Sequence, residues 1–294
     1  MLTVRGLRKR FGSRQVLDGV DITLPAGRIF GFVGANGAGK STTMRAIMGL
    51  TRPDAGEVCW DGEPLDRQTR QRFGYLPEER GLYQKMTVVG QVEYFGRLYG
   101  LSATRARRSA ERWVERLDLT QHRDATVQSL SLGNQQRVQV AVCLVHDPVL
   151  LVLDEPFSGL DPFGVQALSE VLMEKRAEGL PVLFSSHQLD VVERLVDAVG
   201  VIRDGTMRLA GDAGTGLAPR LRVQVTGGAA GWADGLPGHV MSTERADTVL
   251  VDPEGAPADD VLRAAIAVGS VQHFGWDSPS LTELFTELFT EEVA

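Results

Sequence analysis

Residues 34–42 read GANGAGKST, and they follow an apolar run that contains Ile29, Phe30, Phe32 and Val33. The stretch fits G-x-x-x-x-G-K-[ST], a pattern whose physical meaning depends on its lying between a buried strand and the start of a helix. Its glycines let the backbone wrap phosphate oxygens with N–H groups, and the helix N-terminus adds its dipole. A helix is expected from about Ser41 to Leu50. In that setting Gly34, Ala35, Asn36, Gly37, Ala38 and Gly39 are expected to form the cradle, and Lys40 to reach the β- and γ-phosphates of a bound nucleotide. Ser41 ligates Mg²⁺ through its hydroxyl, and Thr42 makes a further phosphate contact.

A second acidic element lies where such a loop needs one. The apolar strand VLLVLD ends at Asp154, and Glu155 follows it. Two carboxylates closing a buried strand are costly unless a cation or polar partners compensate them. Asp154 is expected to hold Mg²⁺ through its water shell, and Glu155 to orient and deprotonate the attacking water. Together with the loop, the pair makes the expected chemistry hydrolysis as well as binding.

Working outward, residues 1–75 read as short strands separated by turn signals, and a helical stretch runs from about Thr87 to Gln128. Ser102 is the expected N-cap of a helix that carries Arg105, Arg107 and Arg108 on its wet side. From Pro148 the pattern alternates: VLLVLD, a helix through Val165 to Glu178, PVLFSS, a further helix, then VGVIRDG. Such alternation predicts a largely parallel sheet covered on both faces. The glycine-rich stretch Gly211–Gly216 marks a boundary, so the expected domains are 1–212 and 217–294. The second contains a strand at LRVQV, another at Thr248 to Val251 and a helix at Ala258 to Val268. It closes on SLTELFTELF, where Ser280 and Glu283 have capping-box spacing. Leu281, Leu284, Phe285, Leu288 and Phe289 share one face there, so this segment is expected to dock.

The chain has 294 residues, 43% apolar and 23% charged, which is ample for a core and far from a disordered composition. A formal charge of −7 with scattered arginines argues against nucleic acid as a partner. Cys59 and Cys143 have no metal-ligand spacing and read as inert core thiols. The N-terminal residues lack a signal-peptide apolar region. The longest apolar stretch, Val138 to Leu153, is broken by His146, Asp147 and Pro148, so the chain is not expected to cross a membrane by itself.

Glu155 continues as PFSGLDP, and SLSLGNQQRV lies about 25 residues earlier. With these segments in place, residues 1 to about 212 resemble the nucleotide-binding subunit of an ATP-binding cassette (ABC) transporter. The part beyond resembles an accessory domain of bacterial export-type cassettes. The implied fold is α/β: a P-loop NTPase core with a mainly parallel sheet, an antiparallel β subdomain and a helical subdomain at about 81–135. A small C-terminal α+β domain follows.

The resemblance also implies roles. Where the family signature reads LSGGQ, this chain has Leu130, Ser131, Leu132, Gly133 and Asn134, so leucine replaces the first glycine and asparagine the glutamine. Ser131, the Gly133 amide and Asn134 are then expected to reach ATP held by another cassette. Phe11 is placed to stack on adenine, Asp161 to communicate across a dimer interface, and His187 to contact the γ-phosphate. In FGYLPEERGLY the position of the family's nucleotide-sensing glutamine is Glu78, implied as a further Mg²⁺ ligand. A single cassette implies a head-to-tail dimer closing on two ATP molecules, docked through about Gly81 to Gln128 on a separate polytopic permease at the cytoplasmic face of the membrane. One competing reading is a soluble ABC-type ATPase of DNA repair or translation, whose paired cassettes or long insertions do not occur here. Another is a GTPase or small-molecule kinase; an Asn-Lys-x-Asp segment is missing, Asn36 and Asn134 being the sole asparagines.

Overall fold

The computed structural model describes residues 1–79, 81–212, 220–228 and 231–277. The chain divides into two compact units, Met1–Ala213 and Gly214–Ala294.

In the first unit, β1 (Leu2–Phe11) and β2 (Arg14–Leu24) form an antiparallel hairpin. It is extended by β4 (Ala55–Trp60) and β5 (Glu63–Pro64) into a sheet of order β2-β1-β4-β5. These first two strands, of 10 and 11 residues, are longer than the short strands expected. The turn-like glycines Gly6 and Gly19, both at positive φ, mark bulges inside the strands rather than their ends.

The second sheet has the order β10-β9-β3-β8-β7-β6. Its strands are β3 (Ile29–Val33), β6 (Phe73–Leu76), β7 (Leu150–Leu153), β8 (Val182–Ser186), β9 (Ala198–Arg203) and β10 (Thr206–Asp212). Five run parallel and β10 closes one edge antiparallel. Every residue of β3, β7 and β8 is buried, as expected of strands covered on both faces. This arrangement is a P-loop NTPase core. Its parallel strands place Gly34, Pro77, Asp154 and His187 together at one edge of the sheet, the usual location of ligands in open α/β folds.

The helices of this unit are α1 (Lys40–Ile47), α2 (Arg67–Arg70), α3 (Val88–Leu98), α4 (Ala103–Arg116), α5 (Leu132–Leu144), α6 (Pro162–Ala177) and α7 (Leu189–Leu195). Thr87, Ser102, Ser131 and Asp161 each cap a helix by accepting the backbone N–H of its third residue. On α4, Arg105, Arg107 and Arg108 face solvent, and Arg107 pairs with Glu111 at 2.8 Å and Glu93 at 3.2 Å. Cys59 and Cys143 are both buried free thiols. Among the described residues no helix is long and apolar enough to cross a membrane.

In the second unit, β11 (Arg220–Thr226), β12 (His239–Arg245), β13 (Thr248–Asp252) and β14 (Ser270–Asp277) pair antiparallel in the order β12-β13-β11-β14. Helix α8 (Ala258–Val268) puts Val261 and Ala265 into a core with Leu221, Val223, Val225, Trp232, Val249 and Val251. β12 and β14 escape sequence reading because HVMSTER and SVQHFGWD lack a sustained apolar alternation. The SLTELFTELF segment lies outside the described residues.

One buried group of the first unit makes stability depend on acid. His146 stacks on Tyr99 with ring centroids 3.7 Å apart, and its Nε2 donates to the Phe73 carbonyl at 3.3 Å. Its Nδ1 is buried without a partner. A second ring proton would find no acceptor, and burial pulls the imidazole down to about 4 from 6.5. Between those values the unfolded chain binds the proton and the folded chain does not, so stability falls as pH drops through that window. The full effect is about 3 kcal/mol. Urea unfolding at several pH values should show this loss, and His146→Phe should flatten it.

Candidate nucleotide site at the carboxyl edge of the parallel sheet

Two glycines of the loop between β3 and α1, Gly34 and Gly39, stand where a side chain does not fit. A Cβ on Gly34 would lie 2.3 Å from the Ile202 carbonyl oxygen. Gly39 has φ +117°, and a Cβ there would lie 2.7 Å from Leu17 Cδ2. Ala38 is buried; its N–H donates to Ala35 O at 3.1 Å, and its carbonyl accepts from Gly205 N at 3.0 Å. The loop is thereby tied to the turn between β9 and β10. Lys40 is only 6% exposed, and its Nζ donates to the carbonyls of Gly34 (2.6 Å) and Ala35 (3.2 Å). Glu155 Oε1 lies 4.0 Å away. Burial pushes the Lys40 amine below its ordinary value, opposed by the charges of Glu155, Asp154 and Glu78.

The acid pair is pinned by a hydroxyl that sequence reasoning missed. Ser185, at the end of β8, donates its Oγ–H to Asp154 Oδ1 at 2.7 Å and accepts the Glu155 N–H at 2.9 Å. A signal existed: a hydroxyl in the fully buried strand VLFSS has to find a partner. Glu155 has φ +51°, a left-handed conformation that costs roughly 1–3 kcal/mol and is held here by its neighbours. The same conformation accompanies a bond of 2.9 Å between Glu155 Oε2 and His187 Nδ1.

Asp154 is 1% exposed, and its second oxygen, Oδ2, has no partner. A buried carboxylate oxygen left open fits a cation, and Ser41 lines the same cavity. Among the described residues no cluster of three or more His, Cys, Asp or Glu side chains gathers to hold a metal alone. A cation bound here would draw its remaining ligands from outside these side chains.

A cavity of about 390 Å³ joins these groups. Phe11, Asn36, Gly37, Gly39, Lys40, Ser41, Thr42, Glu78, Asp154 and Glu155 line it, together with Arg14 and Val16, which sequence reading did not single out. Both come from the start of β2 and left no local signal. Phe11 is 52% exposed, with the Lys9 ammonium 5.3 Å from its ring centre. The residues expected from the signature segment stand apart from the cavity lining. Ser131 caps α5, accepting the Asn134 N–H at 3.3 Å, and Leu132 is 60% exposed. A Cβ on Gly133 would sit 3.1 Å from the Gly159 carbonyl oxygen. Asp161 caps α6 through Gly164 N at 2.7 Å and faces Arg137 at 3.5 Å.

Residues 17–158 match the family described as ABC transporter. An uncharacterised ABC transporter ATP-binding protein of Bacillus subtilis is 42% identical over 70% of this chain and 69% of its own length. One from Alkalihalophilus pseudofirmus is 37% identical over 87% of this chain and 97% of itself. A Nod factor export ATP-binding protein of Burkholderia lata is 40% identical over 68% of this chain and 67% of itself. Among solved structures, the ATP-binding subunit of an ABC transporter superposes with a TM-score of 0.67 and 31% identity, covering 72% of this chain and 90% of that one. A loop that only glycine can close, an acid pair at the neighbouring strand end, and relatives matched over most of their length lead to one assignment: the chain belongs to the ATP-binding, ATP-hydrolysing subunits of ABC transporters.

Proposed function

We propose that this chain powers transport, in the export direction, as one half of a head-to-tail pair seated on a separate membrane subunit. One observation carries the pairing. The phosphate loop and acid pair line a single cavity, while Ser131 and Gly133 stand outside it at the exposed head of α5. A second copy facing the first brings its own Ser131, Gly133 and Asn134 over that cavity and supplies the helix N-terminus the γ-phosphate lacks. Asp161, which caps α6, would then face the seam.

Within each site the loop from Gly34 to Gly39 holds the phosphates and Phe11 stacks on adenine. Lys40 leaves the Gly34 carbonyl for the β- and γ-oxygens. Asp154 and Ser41, with Glu78 nearby, would hold Mg²⁺, which would supply positive charge beside the phosphates. Glu155 takes a proton from water as the water oxygen attacks the γ-phosphorus. The bond to the bridging oxygen breaks, leaving ADP and phosphate. His187, bonded to Glu155, orients that carboxylate and touches the γ-phosphate.

The membrane subunit is expected on α3. Tyr83, Tyr94 and Phe95 form a mutual ring cluster with centroids 5.6–6.0 Å apart. Tyr83, Tyr94 and Leu98 are exposed, an apolar surface that suits a partner helix at the cytoplasmic face of the membrane. The name of the Nod factor export relative supports the direction.

Affinity purification of the full chain from membranes tests the reading. The wild type should bring down a polytopic membrane protein, and Tyr83→Ala/Tyr94→Ala should lose it by about tenfold or more while still binding ATP. Recovery of ribosomes or DNA alone would overturn the transport reading.

A further inference from the structure

Helix α5 begins at the Ser131 cap and packs along β6, and two of the eight residues it buries are glutamines where packing alone calls for apolar side chains. Gln136 and Gln139 lie three residues apart, on one face of the helix, and both are buried. Gln136 Nε2 donates to the Pro156 carbonyl at 3.0 Å, on the loop that carries Glu155. Gln139 Nε2 donates to the Pro77 carbonyl at 3.2 Å, on the loop that carries Glu78. One turn further, the Cys143 thiol donates to the Tyr75 carbonyl at 3.1 Å. The helix approaches β6 so closely there that a Cβ on Gly74 would lie 2.5 Å from the Cys143 carbonyl oxygen.

Gln139 is the unusual member of this row. It is 4% exposed, and its Oε1 has no hydrogen-bond partner. An unsatisfied buried acceptor is unfavourable, and a methionine of similar volume would avoid it. Its one bond fixes the peptide between Pro77 and Glu78, whose nitrogen belongs to Glu78 itself. The Glu78 side chain leaves that peptide to line the nucleotide cavity.

We propose that Gln139 is a positioning residue that ties the Pro77–Glu78 peptide, and through it the Glu78 carboxylate, to the helix headed by Ser131. A helix of 13 residues moves as a rod, so displacement of its Ser131 end by a facing cassette shifts the loop after β6 as well. The contact made in one site is thereby felt by the carboxylate of the other. The part of this proposal that concerns the cation rests on Glu78 as an Mg²⁺ ligand.

The test compares the full chain with Gln139→Met, Glu78→Gln and the double variant. Hydrogen exchange at the amides of Glu78 and Glu79 reads the tie itself, and Gln139→Met should speed it about tenfold while β6 and β7 stay protected. The Mg²⁺ concentration giving half-maximal ATPase activity reads its consequence. Gln139→Met should raise it about fivefold or more, and the double variant should exceed Glu78→Gln by no further factor. Unchanged loop exchange overturns the proposal. So does an Mg²⁺ shift that persists undiminished beside Glu78→Gln, because Gln139 would then act elsewhere. A lowered thermal midpoint with faster exchange across the whole sheet would likewise make it a packing residue. If loop exchange rises while Glu78→Gln leaves the Mg²⁺ requirement unmoved, the tie stands and the reading of Glu78 as a ligand falls.

Discussion

Glu155→Gln should lower ATP hydrolysis by about two to four orders of magnitude and leave a dimer with ATP trapped inside it, because positioned general bases contribute on that scale. The change keeps the shape of the side chain and leaves the Glu155 N–H on Ser185 Oγ. An amide also retains a bond to His187 Nδ1, so the ring stays where it is. What disappears is the carboxylate proposed to accept the proton from water, while Asp154, held through Oδ1 by Ser185, keeps its place. Nucleotide binding moves the other way. Glu155, Asp154 and Glu78 all face Lys40, and removing one negative charge beside a triphosphate strengthens binding. Single-turnover hydrolysis and sizing in Mg²⁺-ATP separate the two effects. Hydrolysis within about tenfold of wild type would place the base elsewhere, and a variant that stayed monomeric with ATP bound would remove the main support for the sandwich.

How much of this was legible in the sequence follows from the range of each interaction. The phosphate loop is local: its glycines, Lys40 and Ser41 are neighbours in the chain, and the buried strand before them shows as an apolar run. Asp154 and Glu155 were equally plain, because a charge pair ending VLLVLD has few bland explanations. Ser131 and Gly133 were legible only by resemblance, since a serine capping a helix is common. Arg14 and Val16 reach the cavity because the β1–β2 hairpin folds over it, a placement no spacing reveals. Ser185 and Gln139 act across 31 and 62 residues of chain. Helix α5 hid its role further: eight of its 13 residues are buried, so it has no single apolar stripe from which to read a facing. The same reason in reverse conceals β12 and β14, whose polar residues dilute the alternation.

Lys40→Met should weaken ATP binding by about a hundredfold or more, the scale expected when one member of a buried charged pair is truncated at about 2–5 kcal/mol. Without nucleotide the ammonium rests on the Gly34 and Ala35 carbonyls, inside a site that carries three carboxylates. Its removal leaves those charges facing the phosphates uncompensated. The amine also makes binding depend on pH. Burial lowers its affinity for a proton below the ordinary 10.5. Between that lowered value and 10.5 the unfolded chain holds the proton more tightly, so the penalty Lys40 places on stability is full below its folded value and fades as pH rises through the window. Nucleotide binding has the opposite sign. Phosphates favour the charged amine, so binding takes up a proton once the free site has begun to lose it, and affinity falls as pH climbs through the lowered value. The limiting slope is about tenfold per pH unit. Calorimetric titration in buffers of different ionisation heat measures that proton directly. It should vanish in Lys40→Met and persist in Glu155→Gln, because the first variant removes the titrating group and the second only one of the three charges that oppose its loss of a proton.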